Sequence, residues 1–225
     1  MEIDLHTHTN RYSGCSNIDP VQLIRRAKEV GLDGVALTEH GIRWSDENIE
    51  TLRKECQVAD FLILPGQEVA CYTAQGRFQG EFLVFGYSRS LGSSRSLEQI
   101  LEIVHGEGGL VIAAHPFKKL QHGDGFYGAG RSVYDFDIDG LEVEHPSYDD
   151  ESRLLASNAV HAMKIAGIGS SDAHDVRNIG ICRTLFEGQV DGLMSMCREI
   201  RAGRVRAVNL TKADRGQDHA SSGRA

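Results

Sequence analysis

The chain has little of what stabilises a small secreted scaffold. Its five cysteines, Cys15, Cys56, Cys71, Cys182 and Cys197, are odd in number, scattered and free of any C-x-x-C pair. That excludes a disulfide framework and a thiolate zinc ribbon, and points to reduced thiols. Positive charge is also short: 24 Lys and Arg stand against 32 Asp and Glu, for a net charge of -8. Broad attraction to nucleic acid or to an acidic membrane surface is therefore not expected, and no stable nucleic-acid partner is predicted. A local basic pocket or bound cations can still admit a nucleotide. No apolar run is long enough to span a bilayer, and MEIDLHTHTN lacks the basic and apolar regions of a secretory signal. A cytoplasmic location is the expectation. No repeat or linker divides residues 1–210, which read as a single domain. Residues 211–225 are polar, without apolar periodicity, and are expected to be a disordered tail.

What is present is alternation. Short apolar runs predict strands over Ile3–His6, Gly34–Thr38, Phe61–Val69, Phe82–Gly86, Leu110–Ala114, Gly140–Val143, Ile165–Gly169 and Arg183–Phe186. Amphipathic stretches predict helices over Pro20–Val30, Asp46–Ala59, Leu97–Glu107, Glu151–Met163 and Val190–Ala202. Continuous apolar strands suit a sheet buried on both faces, and repeated strand–helix units suggest a mostly parallel sheet wrapped by helices. The stretch Lys118–Arg131, rich in glycine and polar residues, reads as a long loop over one end of the fold.

Metal-binding residue types fall where these strands end. His6 and His8 follow the first, Glu39 and His40 the second, and Glu68 closes the third. His115 follows Leu110–Ala114; Glu142, Glu144 and His145 end the next strand; Asp172 and His174 follow another. Strand–helix barrels place their active sites at this face. In His6-Thr7-His8 an extended backbone turns both imidazoles to one side, and Asp172-Ala173-His174 does the same for a carboxylate and an imidazole. Each feature alone has a plain explanation: an isolated H-x-H is more often a surface or packing pair, and Glu39 or Glu144 could cap a helix or form a salt bridge. Their recurrence at strand after strand points to a site holding Zn, Mn or Fe through mixed imidazole and carboxylate ligands. His105, His122, His161 and His219 lie in helices, loop or tail and read as structural or exposed.

The strings Asp4-Leu5-His6-Thr7-His8-Thr9, Leu37-Thr38-Glu39-His40, Gly66-Gln67-Glu68, Ala114-His115-Pro116 and Ser171-Asp172-Ala173-His174 resemble, in order and spacing, the PHP (polymerase and histidinol phosphatase) family. The resemblance runs from residue 2 to about residue 209, where Gly203-Arg204-Val205 looks like the family's usual ending. It implies an α/β fold, a distorted (β/α)7 barrel, with two or three divalent metals, Mn, Fe or Zn, at the carboxyl ends of the strands. By the same resemblance His6, His8, Glu68 and Asp172 would hold the first metal. Glu68 would bridge to a second completed by His115, with Glu81 where the family often has histidine. His40 and His174 would bind a third. Two departures stand out. Glu39 replaces the usual aspartate of the second motif. The loop Arg11-Tyr12-Ser13-Gly14-Cys15 offers no His or Asp where a third-metal ligand is expected, so that metal should be weak or absent.

The implied activity is phosphate-ester hydrolysis by a metal-bound hydroxide, with His174 or His40, if not fully committed to a metal, protonating the leaving oxygen. Arg11, Lys118 and Arg177 are candidates for holding the phosphate of a small monoester or nucleotide, as are Lys119 and Arg131. The competing readings are an amidohydrolase or lactonase, and a non-catalytic metal-binding module. No lysine follows a strand where a carbamylated ligand would sit: Lys164 precedes its strand. The sequence leaves the oligomeric state open.

Overall fold

The computed structural model describes residues 1–213. Nine strands and six helices follow in the order β1 (Glu2–Thr7), α1 (Pro20–Glu29), β2 (Gly34–Leu37), α2 (Asp46–Cys56), β3 (Leu62–Tyr72), β4 (Phe78–Phe85), α3 (Leu97–Gly106), β5 (Leu110–Ala113), β6 (Gly140–Glu144), α4 (Asp150–Met163), β7 (Ala166–Gly169), β8 (Cys182–Phe186), α5 (Leu193–Arg201), β9 (Val205–Asn209) and α6 (Leu210–Ala213). Of the expected tail, residues 211–213 continue α6, and 214–225 lie outside the described residues. No described helix is long and apolar enough to cross a membrane.

The helices begin and end where local chemistry dictates. Asp19 caps α1 by accepting from the backbone N–H groups of Val21 and Gln22, with Pro20 in the first turn. Leu23, Ile24 and Ala27 then form its buried face. Ser45 caps α2, and the helix stops at Gln57, which takes a left-handed conformation with φ 55°. This ends α2 three residues short of the sequence expectation, Asp46–Ala59.

The sheet runs β7-β6-β5-β4-β3-β2-β1-β8-β9 and curls into a nearly closed barrel. The distorted α/β barrel expected from the sequence is what the chain forms, but the sheet is less parallel than apolar runs suggested. β4 is antiparallel to both β3 and β5, and β8 is antiparallel to both β1 and β9. β3 and β4 form a long hairpin in which no helix intervenes, so each strand extends beyond its predicted limits into a half-exposed arm. β9 had no strand in the sequence reading, because its residues are only half-buried and carry no long apolar run.

The barrel closes through a side chain. Thr184 in β8 donates its hydroxyl to the Gly169 carbonyl at 2.8 Å and accepts from the Gly169 N–H at 3.2 Å. Glycine is required there: a Cβ on Gly169 would lie 2.6 Å from the Arg183 carbonyl oxygen. Inside, Ile3, Leu5, Leu83, Phe85, Ile112 and Ile168 pack with Met196, Cys197 and Ile200 of α5. A second cluster joins α1 and α2 to the outer face of β2 and β3, and a third packs α3 and α4 on the opposite wall. The packed interior leaves one end of the barrel for polar side chains.

Candidate metal centre

His6, at the end of β1, and His8, just beyond it, turn toward each other with their Nε2 atoms 2.9 Å apart. The register of β1 against β2 shifts between Asp4 and Thr7, and such irregularities re-aim side chains where strands leave the core. Glu68 sits at the middle of this arrangement. Its Oε1 is 3.3 Å from His6 Nε2 and 3.1 Å from His115 Nε2, and its Oε2 is 3.5 Å from His8 Nε2 and 2.9 Å from His40 Nδ1. Asp172 faces the same pair from the other side, with Oδ1 3.5 Å from His6 Nε2 and 3.4 Å from His8 Nε2. Glu81 Oε2 lies 3.6 Å from His115 Nε2, and the ring of His174 packs on that of His8 at 4.4 Å. All eight side chains singled out from the sequence as metal-binding therefore meet at one end of the barrel.

Two of these residues hold unusual backbone. His115 has φ 29° and Asp172 has φ 48°. Left-handed geometry is costly for residues with a Cβ, and it concentrates at functional sites. The turn at Asp172 is anchored by Asp4, which accepts from the N–H groups of Ser171 at 3.0 Å and Gly180 at 2.9 Å.

A layer of buried acceptors sets the imidazole tautomers. Glu142 accepts from His6 Nδ1 at 2.8 Å, from the His115 N–H and from the Ser170 hydroxyl. That leaves the lone pair of His6 on Nε2, facing the centre. His174 donates Nδ1–H to the Asp172 carbonyl at 2.9 Å, with the same result. His145 is turned the other way: its Nδ1 accepts from the Ser147 N–H at 3.1 Å, so Nε2 carries the proton and donates to Asp172 Oδ2 at 3.3 Å. Glu39 points away from the centre. It accepts from the Thr9 N–H and hydroxyl, the Ser13 hydroxyl and Trp44 Nε1, fastening the loop after β1. Glu144 pairs with Asn209.

The donor set fits cations better than protons. Four overlapping groups have their ligand atoms within 4.8 Å of one another: His8, His40 and His174; His6, His8 and Glu68; His6, His115 and Asp172; His40, Glu68 and Glu81. His115 Nδ1 is buried with no hydrogen-bond partner. Without metal, protons must balance the charge. Burial opposes a charge on His6, but Glu68, Asp172 and Glu142 outweigh it and hold its pKa well above the ordinary value. The hydrogen bond to Glu68 lifts His40 to about 9. Burial, with the Glu68 charge, pushes Glu81 up to about 7. Burial also opposes ionisation of Glu68 and Asp172, yet His6 and its neighbours keep both well below the usual carboxylate range. A divalent cation would replace those protons.

A cavity of about 790 Å³ opens onto the cluster and reaches Tyr72, Tyr127, Leu120 and Lys118. Lys118 Nζ is 3.5 Å from Asp172 Oδ2 and 5.4 Å from the centre of the Tyr127 ring. Two of the other candidate phosphate ligands lie elsewhere. Arg11 stacks on Tyr12 and Trp44 outside the cavity, and Arg177 pairs with Asp175 on the surface. Lys119 lines the cavity but is held by Asp149 and Glu151. The sequence reading gave no role to Glu142 and none to Cys15, whose Sγ lies 3.2 Å from His40 Nε2. Glu142 was visible as one of the potential ligands at a strand end, with its role left open. His105, read as structural or exposed, pairs with Asp139.

Comparison with known proteins agrees with this geometry. The PHP domain family matches residues 4–159, and a PHP-associated family matches residues 151–205. An uncharacterized protein of Methanocaldococcus jannaschii, MJ1587, is 30% identical over 153 residues, which cover 64% of this chain and 81% of that one. A two-domain protein from Bacteroides vulgatus, containing a predicted PHP-like metal-dependent phosphoesterase, superposes with a TM-score of 0.70 at 16% identity. It covers 93% of this chain, which spans 64% of that protein's length. The lesion-specific endonuclease EndoQ from Pyrococcus furiosus superposes with a TM-score of 0.62 at 19% identity, over 92% of this chain and 57% of its own. The chain belongs to the PHP domain family.

Proposed function

We propose that the protein hydrolyses a small phosphate monoester, a sugar phosphate or a mononucleotide, with two or three divalent cations at the barrel mouth. The observation that carries this reading is the placement of Glu68. Its two oxygens face different histidines, His6 and His115 on one side, His8 and His40 on the other, as a carboxylate shared between cations must. His6, His8, Glu68 and Asp172 would hold one cation; Glu68, His115 and Glu81 a second; His40 and His174 a third. Mn, Fe or Zn suits this donor set, and Glu81 in place of an imidazole favours the harder ions at the second position. Cations held there would supply an activated water and positive charge to offset the phosphoryl oxygens.

The protein's own groups complete the chemistry. Lys118 points its ammonium at the Asp172 carboxylate and can take a phosphate oxygen as a point charge. His40 and His174 border the cavity, and whichever of them is not holding a cation can deliver a proton to the departing oxygen. Tyr127 and Tyr72 offer an apolar wall for the organic part of the substrate. Lys119 lines the cavity but is held by Asp149 and Glu151, and Lys164 is exposed at the end of α4, which speaks against a carbamylated-lysine amidohydrolase.

The test is metal content and phosphate release measured together. The wild type should bind at least two divalent ions and release phosphate from monoesters. His6→Ala and Asp172→Ala should lose metal and activity together while remaining folded. Full metal occupancy in both variants would contradict the ligand assignment.

A further inference from the structure

The stretch Arg11–Cys15 of the loop after β1 contains no His or Asp, but it brings a sulfur to the cluster. Cys15 is exposed, lines the cavity, and places Sγ 3.2 Å from His40 Nε2. The other nitrogen of His40, Nδ1, is already directed at Glu68 at 2.9 Å. The loop is not free to wander. Ser13 and Ser16, on either side, are buried, and Ser13 donates to Glu39. The Ser13 N–H bonds the Thr9 carbonyl at 3.0 Å, the Ser16 N–H bonds the Ser13 carbonyl at 3.0 Å, and the Ser16 hydroxyl donates to the His8 carbonyl at 2.9 Å. Cys15 is thus presented to His40 by a tied backbone, next to the group formed by His8, His40 and His174.

Resting on the metal-site reading above, we propose that Cys15 is a thiolate ligand of the cation held by His40 and His174. A sulfur and a nitrogen bound to one tetrahedral ion stand about 3.5 Å apart, given metal–sulfur and metal–nitrogen bonds of about 2.3 and 2.0–2.1 Å. The observed 3.2 Å is close to that spacing. Two imidazoles and a thiolate leave a fourth position open, the pattern of a catalytic rather than a structural ion. The softer sulfur makes this position prefer zinc, while the carboxylate-rich positions around Glu68, Glu81 and Asp172 accept harder ions. The chain is then a mixed-selectivity centre, its third ion distinguished by a ligand that the carboxylate positions lack.

Cobalt(II) titration of the metal-free full-length protein tests this, because cobalt bound to a thiolate has an intense near-ultraviolet charge-transfer absorption that imidazole and carboxylate sites lack. The wild type should show that band. Cys15→Ser and Cys15→Ala should lose it while still binding cobalt through the remaining ligands. Cys56→Ser, which removes a half-buried thiol outside the cluster, should keep it. Cobalt bound at two or more ions per chain without the band, or a band that survives in both Cys15 variants, overturns the assignment of Cys15 alone. A wild type that binds no cobalt, zinc or manganese overturns the metal-site reading and this inference with it.

Discussion

At the residue scale, buried carboxylates organise the site without all pointing at it. Glu142 is fully buried and directs the His6 imidazole through its Nδ1. Burial opposes its ionisation, but His6 and its neighbours hold the pKa at about 2. Partners of this kind typically contribute a factor of about 10–100 in metal affinity. Glu142→Gln should weaken metal binding by that order in a competition titration; unchanged affinity would show that His6 needs no such support. The protonated histidines of the metal-free protein make a second prediction. The folded-state pKa values of His6, His40 and His115 are raised, His40 from 6.5 to about 9. A raised pKa means that the folded state binds the proton more tightly than the unfolded chain. The stabilisation is full below 6.5 and is lost as pH rises through about 9. The metal-free protein should therefore melt at progressively lower temperature across that range, and His40→Ala should show a shallower fall. Metal should raise the melting temperature and flatten the slope. A metal-free melting temperature that rises over this range would contradict the charge balance described here.

At the scale of elements, the closure of the barrel rests on the meeting of β7 with β8. Because a Cβ at Gly169 would run into the Arg183 backbone oxygen, Gly169→Ala must push β7 away from the seam. Overpacking of this kind costs about 1–3 kcal/mol. At about 2–4 °C per kcal/mol for a chain of this size, the melting temperature should fall by several degrees. Metal affinity should fall as well, since Asp172 follows three residues later. An unaltered melting curve would mean that the seam is slack. The same elements mark how far the sequence could be read. The strands that carry His6, His40, Glu68, His115 and Asp172 were legible because apolar runs end abruptly in polar residues. The direction of β4 was not, because an apolar run has no sign, and neither was β9, which is half-buried. Arg11 and Arg177 sit near strand ends in sequence, yet their loops carry them away; which way a loop turns is settled by packing such as the Arg11 stack on Trp44. Cys15 escaped notice because only His and Asp were sought in its loop, and its contact with His40 spans 25 residues.

At the scale of the whole molecule, a net charge of -8 surrounds a cavity in which Lys118 faces the Asp172 carboxylate. Such a surface gives little long-range attraction to a polyanion. The loop beyond Pro116 divides its aromatics: Phe126 packs inward on Phe117, whereas Tyr127 faces the cavity with its ring 6.0 Å from His115. Lys118→Ala should raise KM for a phosphate monoester about tenfold or more, as loss of a charged hydrogen bond worth about 1.5–3 kcal/mol implies. If Lys118 does not touch the phosphate, KM will be unmoved.

The most direct measurement of the central claim is a comparison of phosphate-release rates under one set of conditions, with Mn or Zn supplied. The substrates are a sugar phosphate, a nucleoside monophosphate and a short single-stranded oligonucleotide, with a chelator control and an amide and a lactone alongside. The account predicts metal-dependent release, faster from the small monoesters than from the oligonucleotide. A clear preference for the oligonucleotide would reverse the substrate assignment, and turnover of only the amide or lactone would contradict the phosphoesterase reading itself.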